Sequence, residues 1–153
     1  MSRIRNKMTA EEQARFDELA APILSHKEYQ TLKSFIQHGT VTTYDHCVRV
    51  AEHAFYLNRK LHLHADEKEL VTACLLHDFY LYDWHTHHDR LHGYHHPAIA
   101  AGQAERAFRI NANESDAIRT HMWPLTLLHM PSGKVAWLLT GADKYCSLAE
   151  TIR

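Results

Sequence analysis

The feature of this sequence that most constrains its fold is the recurrence of apolar residues at helical spacing, between residues that typically begin and end helices. Val50, Ala54 and Leu57, for example, follow one another at intervals of four and three residues, which places them on one face of a helix. Thr9 and Glu12 form a capping-box signature ahead of another apolar run. Only 5 Gly and 4 Pro interrupt the chain. We therefore predict an all-α fold, a single bundle of about six or seven helices.

Capping residues, Gly and Pro set the bounds of the predicted helices. After the first helix, which Thr9 caps, the predicted helices span about residues 25–38, 43–61, 66–78, 97–108 and 113–122, with a last one from Ser132. The apolar run before His77 would also suit a buried strand, but its Asp66 cap and its Ala and Leu content favour a helix. Residues 79–96 are rich in His, Asp, Tyr and Trp without a clear period, which predicts an irregular functional loop.

Length, charge and cysteine content exclude several classes of protein. The 153 residues suit one domain over 1–153, and a net charge of -1 argues against a nucleic-acid polymer as partner. No apolar run approaches the roughly 20 residues that span a bilayer, and no secretory signal is evident, so we expect no membrane partner. Three Cys at scattered positions do not suggest a disulfide framework. A cytoplasmic protein is the simplest expectation.

The dipeptide His77-Asp78 is the first candidate for chemistry, because it closes an apolar helix and would lie at the end of a buried element. A second pair, His88-Asp89, lies in a polar stretch and is expected to be solvated. A buried Asp78 needs a cation or strong hydrogen-bond donors, because burying an unpaired carboxylate is costly. A metal ion would meet that need, and a simple polar cluster at a helix end is the alternative.

Two further residues on other predicted helices extend this pair. His46 lies near the start of one helix, and Asp143 lies within the last helix among apolar neighbours. An Asp beside an apolar face also needs a partner. One His, a His-Asp pair and a distant Asp form a nitrogen and oxygen ligand set that suits a transition metal, or with more oxygen ligands a magnesium-like ion.

These residues resemble the H…HD…D motif of the HD-domain superfamily of metal-dependent phosphohydrolases. The resemblance rests on His46 within the run 44–51, on Leu75-Leu76-His77-Asp78 and on Ala142-Asp143-Lys144, and it covers about residues 40–150. It implies a single HD-type domain over residues 1–153, in which N-terminal helices at 9–38 pack on a core at about 40–150. It also implies that His46, His77, Asp78 and Asp143 hold a metal ion.

Some members of this superfamily bind two ions, and the resemblance extends to their additional ligands. His96 and His121 are the candidates here, and Asp78 would then bridge both ions. With 15 His in the chain, their positions are alternatively a coincidence. The expected cofactor is one or two divalent ions of Fe, Mn, Zn, Ni, Co or Mg.

Besides Asp78, three residues are candidates for catalysis. Arg49 shares a helix face with His46 and would bind a phosphate group, with a surface or ion-pair role as the alternative, and the same applies to Lys144. Asp83 would act as a general acid or base, as acidic residues close after the HD pair do in some single-metal nucleotidases. Its spacing departs from that pattern.

The resemblance implies hydrolysis of a small phosphorylated metabolite or nucleotide through a metal-activated water. One alternative is a di-iron HD-type oxygenase that cleaves a C–C or C–P bond. Another is a non-catalytic, metal-stabilised binding module. The expected partner is a small phosphorylated substrate, and a homodimer is possible.

Overall fold

The computed structural model describes residues 4–82 and 92–152 of the chain. In these two ranges, seven α-helices accompany one two-stranded antiparallel sheet, so the all-α prediction is confirmed. The elements in chain order are α1 (Ala10–Leu24), α2 (Lys27–Gln30), β1 (Ile36–His38), β2 (Val41–Thr42), α3 (Thr43–Lys60), α4 (Glu67–Leu76), α5 (His92–Ala107), α6 (Ala112–Thr120) and α7 (Lys134–Thr151).

Local capping explains where the helices of the first half begin. Thr9 and Glu12 form the predicted capping box at the start of α1. The side chain of Asp66 accepts a hydrogen bond from the backbone N–H of Glu69, which caps α4 as predicted. Thr42 caps α3 instead of the predicted Thr43.

The prediction of one helix over residues 25–38 is wrong. Only the four residues of α2 are α-helical there; a 3-10 turn follows at Thr31–Ser34, and a β-hairpin of β1 and β2 completes the segment. Gly39 adopts a φ of 58° between the strands, a conformation that glycine accepts without the strain of a side chain. A three-residue strand is too short to show the alternation by which strands are recognised.

Three helix starts in the second half also differ from the prediction. α5 begins at His92, five residues before Pro97, so the predicted loop at 79–96 is wrong at its end. Asn111, rather than Asn113, caps α6, because it forms a reciprocal capping box with Glu114. α7 follows Gly133 rather than a Ser132 cap. Residues 83–91, among them Asp83, lie outside the described ranges.

Helix α4 forms the centre of the bundle, because α1, α3, α6 and α7 all pack against it. Residues 70–76 of α4 are all buried, which explains their near-continuous apolar character. Tyr29, in α2, donates a hydrogen bond from its hydroxyl to the carbonyl of Leu75 at 2.7 Å and stacks on Phe79. The central helix therefore delivers the residues after Leu76 into the protein interior.

Cys47, Cys74 and Cys146 are free and buried. None of the described helices combines the length and apolar character required to cross a membrane.

Candidate metal centre

Four buried side chains from three helices meet at the end of α4. His46 comes from the first turn of α3, His77 and Asp78 follow the last residue of α4, and Asp143 lies in the middle of α7. Each offers one nitrogen or oxygen atom, and these atoms all lie within 4.8 Å of one another. The structure thus brings together the four residues that the sequence singles out.

Hydrogen bonds on the far side of each imidazole fix which nitrogen faces this cluster. Nδ1 of His77 lies 2.6 Å from the carbonyl oxygen of Cys74, and Nδ1 of His46 lies 2.8 Å from Oε2 of Glu150. Carbonyl and carboxylate oxygens only accept hydrogen bonds, so Nδ1 carries the proton in both rings. In the neutral rings, the Nε2 atoms therefore present lone pairs to the cluster, as metal ligation requires.

The inward-facing atoms lie at contact distance, and with both imidazole rings neutral all of them would be acceptors. The Nε2 atoms of His46 and His77 are 3.2 Å apart, and Oδ1 of Asp143 lies 3.0 Å from the first and 3.3 Å from the second. Oδ2 of Asp78 lies 3.2 Å from Nε2 of His77 and 3.5 Å from Nε2 of His46. A cation among these atoms would turn mutual repulsion into coordination.

The pKa shifts show the same demand for positive charge. Burial lowers the pKa of His46, but hydrogen bonds with Asp143 and Glu150 outweigh it and raise the pKa to about 10. Burial raises the pKa of Asp143, yet the charge of His77 brings it well below its usual range. Two buried carboxylates, Asp78 and Asp143, therefore attract cations, and a divalent ion would supply the charge that protons otherwise provide.

A second group of donors adjoins the first and shares Asp78. His96 in α5 and His121 at the end of α6 place their Nε2 atoms 3.1 and 3.5 Å from Oδ1 of Asp78, and 2.9 Å from each other. Nδ1 of His121 lies 2.6 Å from the carbonyl oxygen of Ile118, so its Nε2 presents a lone pair. Burial lowers the pKa of His121 to about 4, which keeps the ring neutral.

The surroundings of the Asp78 carboxylate indicate whether these residues fit a second cation. Its Oδ1 is buried and accepts no hydrogen bond of good geometry from the described residues. Its Oδ2 faces the first group, with His77 nearest. A buried carboxylate oxygen in this situation is costly unless a cation compensates it. The donor set therefore fits one ion on each side of Asp78.

Glu150 is a supporting residue that the sequence analysis missed. It is buried in α7, accepts the Nδ1 proton of His46, and its Oε1 accepts a hydrogen bond from Nη1 of Arg49 at 3.0 Å. Glu150 lies seven residues after Asp143, on the same helix face, and this spacing was the available signal. This contact between Arg49 and Glu150 is an ion pair, which is the role given above as the alternative to phosphate binding by Arg49.

Lys144 lies at the edge of the cluster. Its Nζ donates a hydrogen bond to the carbonyl of His121 at 2.7 Å and lies 3.6 Å from Oδ2 of Asp143. The Lys144 side chain is 42% exposed, against 22% for that of Arg49, so its amine is the more accessible cation.

The β-hairpin contributes two more residues that the sequence analysis missed. Gln37 donates a hydrogen bond from Nε2 to Oδ2 of Asp78 at 2.9 Å. The ring of half-buried His38 lies edge-on to that of His46, at 5.6 Å between centroids. No sequence signal pointed to either residue, because the segment was predicted as helix.

Comparison with known protein families matches residues 43–147 to the family described as the HD domain. This range includes all six candidate ligands. No significant match was found among curated proteins or among solved structures.

Proposed function

Because the chain belongs to the HD-domain family, whose members are mostly metal-dependent phosphohydrolases, we propose that it hydrolyses a small phosphorylated metabolite or nucleotide. One observation carries the proposal: side chains from separate parts of the chain converge in the protein interior, with imidazole nitrogens and carboxylate oxygens all within 4.8 Å of one another. A structural role alone does not require that arrangement, because burying several ionisable side chains is costly unless their charge is compensated.

In this proposal, His46, His77, Asp78 and Asp143 hold one divalent ion. Asp78, His96 and His121 contribute to a second. When bound, the ions supply Lewis-acid chemistry, which lowers the pKa of water and neutralises phosphoryl charge. Fe, Mn, Zn, Ni, Co and Mg remain the candidates for the ion.

The protein's own residues would bind and orient the phosphate. Lys144 has an accessible amine beside Asp143, which suits an ion pair with a phosphoryl oxygen. Arg49 would act mainly through Glu150, because the carboxylate already binds its guanidinium. Asp83 stays the proposed general acid or base, which gives a proton to the leaving oxygen as the P–O bond breaks.

The decisive experiment joins metal analysis to an activity screen. Protein purified without chelator or nickel affinity resin is analysed for its metals, then assayed under anaerobic conditions for phosphate release from nucleotides and sugar phosphates. We expect metal-dependent release that His77→Ala abolishes and that Lys144→Met lowers. An equal rate in wild type and His77→Ala would overturn the proposal.

A second candidate function follows from the shared carboxylate of Asp78. Two adjoining donor groups, four His and two Asp in all, would also suit a di-iron oxygenase that cleaves a C–C or C–P bond. Two iron ions per chain with oxygen uptake, and no anaerobic phosphate release, would favour it. Saturable nucleotide binding without turnover would instead favour a metal-stabilised binding module.

A further inference from the structure

Gln37 occupies an irregular position in the hairpin that directs its side chain inward. Ile36 pairs with Thr42 and His38 pairs with Val41, so two residue steps on β1 correspond to one on β2. Gln37 is the extra residue of this β-bulge, and bulges next to functional sites commonly redirect a side chain. The side chain of Gln37 is buried, whereas its neighbours on β1 are half-buried.

The hydrogen bonds of Gln37 determine the orientation of its amide group. The Asp78 carboxylate only accepts, so the amide nitrogen of Gln37 must face it, and the distance from Nε2 to Oδ2 is 2.9 Å. The amide oxygen then faces two hydroxyl donors, Tyr80 at 2.7 Å and Thr43 at 3.2 Å. These residues come from the hairpin, from the segment after α4 and from α3, so three parts of the fold fix one amide.

This amide in turn fixes the rotation of the Asp78 carboxylate. Holding Oδ2 toward the His46 and His77 group leaves Oδ1 toward His96 and His121, because the two oxygens are joined to one carbon. Without the amide, the carboxylate would be free to rotate about its terminal torsion, which is broad. Each of its two oxygens would then no longer face a fixed donor group.

We propose that Gln37 is a positioning residue that orients Asp78 to bridge two metal ions. The inference rests on the proposed function, in that it requires both donor groups to hold an ion. Because Gln37 contacts the bridging carboxylate rather than a terminal ligand, it controls the second ion more strongly than the first. His46, His77 and Asp143 still surround the first ion when Asp78 rotates.

The test compares Gln37→Met with wild type in the full chain. Met has a similar length and lacks the N–H donor. Apo-protein is titrated with Mn²⁺ alone, followed by calorimetry and by electron paramagnetic resonance, which distinguishes a coupled pair of ions from a single ion. We expect wild type to bind two ions, and Gln37→Met to bind the second about 10–100-fold more weakly, with a smaller change for the first.

Two variants complete the test. Gln13→Met is the matched control, because Gln13 donates its amide to the carbonyls of Arg5 and Met8 outside the cluster, and it should bind both ions like wild type. Tyr80→Phe removes one hydroxyl from the Gln37 amide and should weaken the second ion selectively, though less than Gln37→Met. It carries the test if Gln37→Met fails to fold.

The outcomes separate this inference from the proposed function. Wild type with two ions, together with unchanged affinities in Gln37→Met and Tyr80→Phe, would overturn the role of Gln37 alone. An equal loss of both ions would overturn it too, because that result indicates general damage to the site. Wild type that binds fewer than two ions would overturn the two-metal centre and the inference together.

Discussion

Nδ1 of His46 lies 2.8 Å from Oε2 of Glu150, although 104 positions separate the two residues in the chain. The contact joins the first turn of α3 to the last turns of α7 and places the His46 proton on the nitrogen that faces away from the cluster. A carboxylate behind a histidine ligand is a recurring arrangement in metal sites, where it fixes the ring and raises its basicity.

Replacing Glu150 with Leu should weaken metal binding about 10–100-fold, because His46 loses the acceptor that fixes its tautomer. Glu150→Gln keeps an acceptor for Nδ1 and loses only the charge, so its loss should be smaller. Competition with a fluorescent chelator measures both affinities. Wild-type affinity in Glu150→Leu would contradict the role assigned to Glu150.

His77→Ala and Asp143→Ala should each abolish retention of the first ion, because each removes a donor from the four-residue cluster. Elemental analysis of the purified variants reports the number of ions per chain. His129→Ala is the matched control, since His129 is exposed and outside the candidate groups, and it should retain metal like wild type. Retention of the ion by both cluster variants would disprove the site.

His121→Ala should lower the metal content by one ion per chain and leave the first ion in place. The reason is that His121 faces Oδ1 of Asp78, whereas the first group surrounds Oδ2. Mass spectrometry under non-denaturing conditions counts the ions in each molecule. A variant that loses both ions, or neither, would be inconsistent with two separate groups that share Asp78.

Removal of metal should destabilise the folded protein, because the ion binds the folded state and compensates two buried carboxylates. At a free-ion concentration one hundred times Kd, the expected gain is about 2.7 kcal/mol in the free energy of unfolding. For a chain of this size, the Tm should rise by roughly 5–10 °C. Differential scanning calorimetry with and without chelator measures the change, and His77→Ala, which lacks a ligand of the first ion, should show a smaller one.

The helix starts and the His77-Asp78 pair could be predicted because their signals are local, whereas the grouping of His46 and Asp143 with that pair depended on the resemblance to the H…HD…D motif. The capping residues Thr9 and Asp66 mark helix starts through contacts within one turn, and both are observed. His77-Asp78 stands out because it closes an apolar helix. Features whose pattern lies within a few neighbouring positions of the chain can be recognised by sequence analysis.

Gln37 could not be predicted as a supporting residue, because it acts through a contact distant in sequence. Gln37 meets Asp78 across 41 positions and depends on a hairpin of five strand residues with no recognisable period. The choice of Asn111 over Asn113 as helix cap follows from Glu114, which lies three residues after Asn111 and forms a reciprocal capping box with it. That signal is local, and the sequence analysis missed it.

The family match begins at residue 43 and ends at residue 147, whereas Gln37 and Glu150 lie just beyond these two limits. A fragment limited to residues 43–147 would keep every candidate ligand and lose the two side chains that hydrogen-bond to Asp78 and His46. The segments that flank the matched range therefore contribute side chains to the candidate centre, and a comparison confined to residues 43–147 would miss them.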